Sequence, residues 1–224
     1  MSQKPNNRRL AATVVKTLRE AEVGGINFAY KGSTVNNKSV EFIVTGVRYS
    51  VVADLVEKGR IVCNLLKSSR SLGLPRGNVA AASYVATSGN EYGDFPDQML
   101  FPTESYGEYS GYEKSVIIHE ATHAIHDMFL RQNCLAIEDE ATAWLAKALY
   151  MRLTPRTTGS GGMLIGGPLD VALKIADKMI AAGFGGRTQP LYPPDIQFLK
   201  NTIAVEYGLV GGKAGIQSAY DGVP

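Results

Sequence analysis

His119, Glu120, His123 and His126 stand within eight residues, and the 224-residue chain holds no other histidine. If this segment is helical, His119 and His123 lie one turn apart on the same face and can present two imidazoles to a single metal ion. Glu120 projects from an adjoining face. There a carboxylate can accept a proton from a water polarised by the metal and return it to a leaving group. The spacing His-Glu-x-x-His thus points to metal-assisted hydrolysis, with zinc as the expected ion and Glu120 as general base and acid.

A catalytic zinc takes three protein ligands and keeps a position open, so a third ligand must come from elsewhere. His126 lies on the same face but a full turn beyond an ion seated between His119 and His123, which makes it a poor ligand on an unbroken helix. The metzincin pattern needs a glycine turn and a later histidine, and Asn133 and Cys134 stand there instead. The next segment carries Glu138, Asp139 and Glu140. At 100° per residue the two glutamates cannot easily share one ion. Glu138 is the expected ligand, because its register keeps Ala141, Leu145 and Leu149 packed on the motif helix, and Glu140 is the rival. The alternative for any of the three is a solvated carboxylate favoured by the helix dipole.

From these residues the chain resembles the gluzincin metallopeptidases, in which a His-Glu-x-x-His helix is followed by a second helix donating a glutamate. Several branches write that helix as Glu-x-x-Ala-Asp, and Glu138-Asp-Glu-Ala141-Thr142 is similar, with Thr142 in place of the aspartate. The resemblance covers about 78–151 and implies a zincin-like fold, peptide hydrolysis and Glu138 as third ligand. Asp127 stands as a substitute for the missing histidine support. Peptide hydrolysis also needs a donor for the oxyanion. With every histidine in the motif helix, a tyrosine is the substitute: Tyr106, Tyr109, Tyr112, Tyr150 and the more distant Tyr207 are available, and Tyr112 is taken as the candidate. The resemblance further implies that a strand over 78–87, rich in small residues, borders the cleft and binds an extended peptide through its backbone.

The elements that must position these groups are legible from periodicity and punctuation. A helix is predicted over 7–22, strands over 26–30 and 40–47, a helix over 51–58, strands over 60–66, 78–87 and 98–101, the motif helix over 111–130, and further helices over 137–151, 169–182 and 195–207. Polar or glycine-rich connections are expected over 68–78, 88–96 and 158–167, with a poorly ordered tail over 208–224. This order predicts an α+β domain of zincin-like type, one small mixed or antiparallel sheet packed on the two metal-site helices. One domain is expected over 1–224, with the helix and sheet in about 1–110, the metal site in 111–151 and a helical part in 152–224.

Composition narrows the function class. A hydrophobic fraction of 45%, a charged fraction of 20% and a net charge of +2 are those of an ordinary globular chain, with no demand for nucleic acid. No apolar run reaches a membrane span, and no signal-peptide core precedes Leu10. Cys63 and Cys134 are too few for a disulfide scaffold and read as buried thiols, which favours the cytoplasm. The expected activity is zinc-dependent hydrolysis of a peptide or protein substrate. The rival readings are a zinc-binding domain with a regulatory or binding role and a protease delivered to another cell.

Overall fold

A computed structural model describes residues 6–34, 38–66, 82–86, 97–130, 134–154, 167–183 and 189–207. The first helix, α1 (Arg8–Leu18), starts where the Asn7 side chain accepts the backbone N–H groups of Arg9 and Leu10, both at 3.2 Å. Leu10, Val14 and Leu18 form its buried stripe. It stops earlier than the apolar period suggests. Glu20 turns to an extended conformation, from which its carboxylate meets Lys114 and accepts the Tyr150 hydroxyl at 2.6 Å, and the single turn α2 (Ala21–Gly24) follows.

Strands β1 (Asn27–Ser33) and β2 (Ser39–Thr45) lead to α3 (Gly46–Glu57). This helix begins five residues before the expected 51, because the Thr45 hydroxyl caps it by accepting the N–H of Arg48. Then come β3 (Ile61–Leu65), β4 (Ser83–Val85), β5 (Asp97–Phe101), α4 (Gly111–Leu130) and α5 (Ala136–Leu153). The chain closes with α6 (Pro168–Ala181), β6 (Gln189–Pro190) and α7 (Pro193–Glu206). Prolines open both late helices, where a missing N–H costs nothing.

The fold is α+β, but among the described residues the strands form two small sheets rather than the single one expected. One has the order β2-β1-β6, with β1 antiparallel to β2 and parallel to β6; the other has the order β3-β5-β4, with β5 parallel to β3 and antiparallel to β4. The two residues of β6 reach β1 from far along the chain, so no local pattern announces them. The connections expected over 68–78, 88–96 and 158–166, the tail over 208–224 and the first part of the strand over 78–87 lie outside the described residues.

Helices α4 and α5 pack side by side at the centre. Val116, Ile117, Ile118, Ala121, Ala124 and Ile125 of α4 are all buried, and so are Ile137, Ala141, Leu145, Ala146, Ala148 and Leu149 of α5. Both helices are therefore apolar around most of their circumference, which is the signature of core helices. From α3, Tyr49 reaches α4 through a 2.7 Å hydrogen bond with the Thr122 hydroxyl. Ahead of α4, Gly107 turns at φ +82°, and a Cβ there would stand 2.5 Å from the Ile117 side chain. No described helix is long and apolar enough to cross a membrane.

Candidate metal centre

One turn apart on α4, His119 and His123 set their rings edge to face with centroids 4.9 Å apart. The carboxylate that joins them comes from Glu140 on α5. Its Oε2 lies 3.5 Å from His119 Nε2 and its Oε1 3.8 Å from His123 Nε2, and one potential ligand atom from each residue lies within 4.8 Å of the others. These separations are too long for good hydrogen bonds. They lie close to the roughly 3.3–3.4 Å that separates neighbouring ligands around a tetrahedral zinc at about 2.0–2.1 Å. Glu140 Oε2 is also buried without a hydrogen-bond partner. The donor set of two imidazoles and a carboxylate therefore fits a zinc ion.

Glu138, the ligand expected from sequence, is not at this cluster. Its carboxylate accepts the Tyr30 hydroxyl at 3.0 Å, the Ser33 N–H at 3.2 Å and the Lys200 ammonium at 3.1 Å. Gly32 makes room for it: a Cβ there would lie 2.9 Å from the Glu138 carboxyl carbon. Helix α5 is buried on more than one face, so its apolar positions do not mark the face that meets the histidines. Thr142, in the place of the expected aspartate, donates to the Glu138 carbonyl at 2.7 Å and serves this structural network. None of the three acidic residues is a solvated helix start, since Glu138 and Asp139 are buried and Glu140 is half-buried.

Support for the histidines comes from Asp139. Its Oδ2 lies 2.8 Å from His123 Nδ1, and its Oδ1 lies 2.5 Å from His126 Nδ1. A carboxylate on Nδ1 orients the ring and leaves Nε2 as the ligand atom. His126 is buried rather than at the surface and stands outside the cluster of His119, His123 and Glu140, edge-on to Phe42 with centroids 5.2 Å apart. Asp127, the substitute expected from sequence, instead accepts the Tyr84 hydroxyl at 2.7 Å.

The field around the histidines favours a cation. Burial alone would lower the pKa of His123, but the charges of Asp139, Glu140 and Glu120 lift it to about 10. Burial works against Asp139 and Glu140 as anions, yet the neighbouring histidines hold both below the usual carboxylate range. His126 is pulled down by burial despite Asp139. Glu120 is buried next to the pair, and its Oε2 accepts the backbone N–H of Tyr84 at 2.7 Å. The β4 backbone therefore fixes one oxygen of this carboxylate.

Comparison of the chain with protein families, with curated proteins and with solved structures finds no match. Its chemistry must be read from the geometry.

Of the tyrosines considered, Tyr109 is exposed, Tyr150 is bound to Glu20, and Tyr106 packs on Phe101. The hydroxyl of Tyr112 lies 3.4 Å from the Lys147 ammonium, and no described contact brings it to the histidines. Tyr106 also feels the charge of Glu120. Tyr207, 45% exposed, is the considered tyrosine whose hydroxyl pKa is raised, after desolvation, by the charges of both Glu140 and Glu120. Trp144 and Lys147 were missed in the sequence. Trp144 stands edge-on to His119 with centroids 5.2 Å apart, and the Lys147 ammonium lies 4.7 Å from the Trp144 ring centroid. They follow Glu140 at helical spacing, four and seven residues on, and a lysine inside the apolar run of α5 was the available signal.

Proposed function

We propose that this chain is a zinc-dependent peptidase of zincin type, with His119, His123 and Glu140 as ligands and Glu120 as general base and acid. The observation that carries the reading is the convergence of His119 Nε2, His123 Nε2 and the Glu140 carboxylate, with Glu120 beside them. When bound, zinc supplies a Lewis acid that polarises the scissile carbonyl and acidifies water. Asp139 holds His123 in its binding tautomer. The N–H of Tyr84 occupies Oε2 of Glu120 and leaves Oε1 to take the proton of the attacking water and pass it to the departing amine. Tyr207 is the candidate donor to the developing oxyanion, since it lies within the field of both Glu140 and Glu120.

The test is a peptide-library cleavage assay on zinc-loaded protein, paired with metal analysis. Wild type is expected to carry about one zinc per chain and to cleave. Glu120→Gln keeps the zinc and loses turnover by about 10²–10⁴-fold. Cleavage by Glu120→Gln at the wild-type rate, or a wild type that binds no zinc, refutes the proposal.

A further inference from the structure

On α5, two turns beyond Glu140, Lys147 is 3% exposed. Its ammonium sits between two aromatic rings, 4.4 Å from the Tyr112 centroid and 4.7 Å from that of Trp144. Among the described residues its one hydrogen bond goes to the Tyr112 hydroxyl, at the long distance of 3.4 Å, and it forms no salt bridge with a carboxylate. An ammonium has three donors, and burying it without a counter-ion is costly. Buried lysines are ordinarily paired, and even the half-buried Lys200 is paired with Glu138 in this fold.

The place of this cation suggests what it is for. Side chains on a helix lean towards its N-terminus, so Lys147 leans back along α5 towards Trp144 and Glu140. The Trp144 ring touches Lys147 on one side and His119 on the other. The ammonium also feels the charge of Glu120, which favours its protonated form. Through these two ring contacts the ammonium lies no more than about 10 Å from the His119 ring centroid, a span of up to about three residues of extended peptide at about 3.3–3.6 Å per residue. The other charges described as acting on His123 and Glu140 come from carboxylates and histidines, and Arg48 acts on His126 behind them.

We propose that Lys147 forms the base of a subsite for a substrate carboxylate, so that the centre acts on peptides bearing an acidic side chain or a free C-terminal carboxylate within about three residues of the scissile bond. The inference rests on the peptidase reading for its substrate but has its own readout in binding. Tyr112 and Trp144 wall the subsite and displace water from the ion pair, which strengthens it. The incoming carboxylate supplies the counter-ion that the fold withholds.

The experiment uses the full zinc-loaded chain with four matched peptides, carrying Glu or Gln beside the cleaved bond and a free or amidated C-terminus. Wild type, Lys147→Met and Lys147→Arg are compared. Binding of N-acetylglutamate and of its neutral counterpart N-acetylglutamine amide to the same proteins is measured by calorimetry. Wild type is expected to favour one of the acidic forms by about tenfold or more in kcat/KM, and the form favoured identifies the source of the carboxylate. Lys147→Met, at unchanged zinc content, loses that preference while still cleaving the neutral peptide, and Lys147→Arg keeps part of it. Lys147-dependent binding of N-acetylglutamate without any peptide cleavage upholds the subsite and refutes the peptidase reading. A preference unchanged in Lys147→Met, or equal loss on all four peptides, overturns the subsite, as does N-acetylglutamate binding that ignores the substitution.

Discussion

Lys147→Met should make the protein more stable at neutral pH, and the gain should vanish in alkali. Burial pushes the Lys147 ammonium down from its ordinary 10.5 to about 8, with the charge of Glu120 opposing the fall only in part. The folded chain therefore holds this proton less tightly than the unfolded chain. Below about pH 8 the native state carries the full cost of the buried charge. Between pH 8 and 10.5 the unfolded chain keeps a proton that the native chain releases, so this group's contribution to stability rises with pH, and above 10.5 the cost is gone. The gap between the two values corresponds to about 3 kcal/mol. Methionine fills a similar space without charge but forfeits the cation–π contacts with Tyr112 and Trp144, worth at least about 1 kcal/mol together and more when desolvated. The net gain at pH 7 is then at most about 2 kcal/mol, or roughly 4–8 °C in Tm for a chain of this size. Urea unfolding of metal-stripped protein at pH 7, 9 and 10.5 measures it, with the fluorescence of Trp144, the single tryptophan, as reporter. Comparing variant with wild type at each pH cancels the other titrating groups. A variant destabilised at pH 7, or a difference that stays constant to pH 10.5, refutes the account of Lys147 as an uncompensated charge.

Three further outcomes follow from the geometry. Glu140→Gln should lose zinc at equal folding, whereas Glu138→Gln should keep it and cost roughly 1–3 kcal/mol by disturbing the bonds to Tyr30, Ser33 and Lys200; metal analysis and urea unfolding distinguish them, and the reverse pattern restores Glu138 as ligand. Asp139→Asn should weaken zinc binding by about 10–100-fold, read by competition with a chromogenic chelator, and unchanged affinity removes Asp139 from the support of His123. Tyr207→Phe should lower kcat by about 10²–10³-fold with KM and zinc little changed, while Tyr112→Phe stays within a few-fold of wild type; equal effects of the two contradict the placement of the oxyanion donor.

How far the sequence carries depends on the range of the interaction being read. The bounds of α4 are legible to the residue, and those of α5, α6 and α7 to within two, because apolar periodicity and proline or glycine punctuation are local. His119, Glu120 and His123 are legible for the same reason, since one helical turn relates them. The third member is not. Choosing between Glu138 and Glu140 requires knowing which face of α5 meets α4, and a helix buried around most of its circumference leaves no amphipathic mark to say so. Nothing local signals β6, whose two residues pair with β1. Asp139 was visible as an acidic residue but not as a bridge, because its second partner, His126, had been assigned by spacing alone. Lys147 broke the pattern of its helix in plain view, and buried charge is where sequence and fold most often disagree at sites of function.

The donor that fixes Glu120 is a main-chain N–H, that of Tyr84. No side chain at position 84 can supply or abolish it, save proline, which has no N–H to give. Alternate residues of a strand turn their main-chain groups to opposite edges. A slip of β4 by one residue against β5 would swing this N–H away from α4 and carry the Tyr84 hydroxyl off Asp127. The aim of the proposed base is thus set by how one short strand is registered, and an insertion or deletion within β4 that shifts this register would redirect Glu120 while leaving every residue of the His-Glu-x-x-His motif intact.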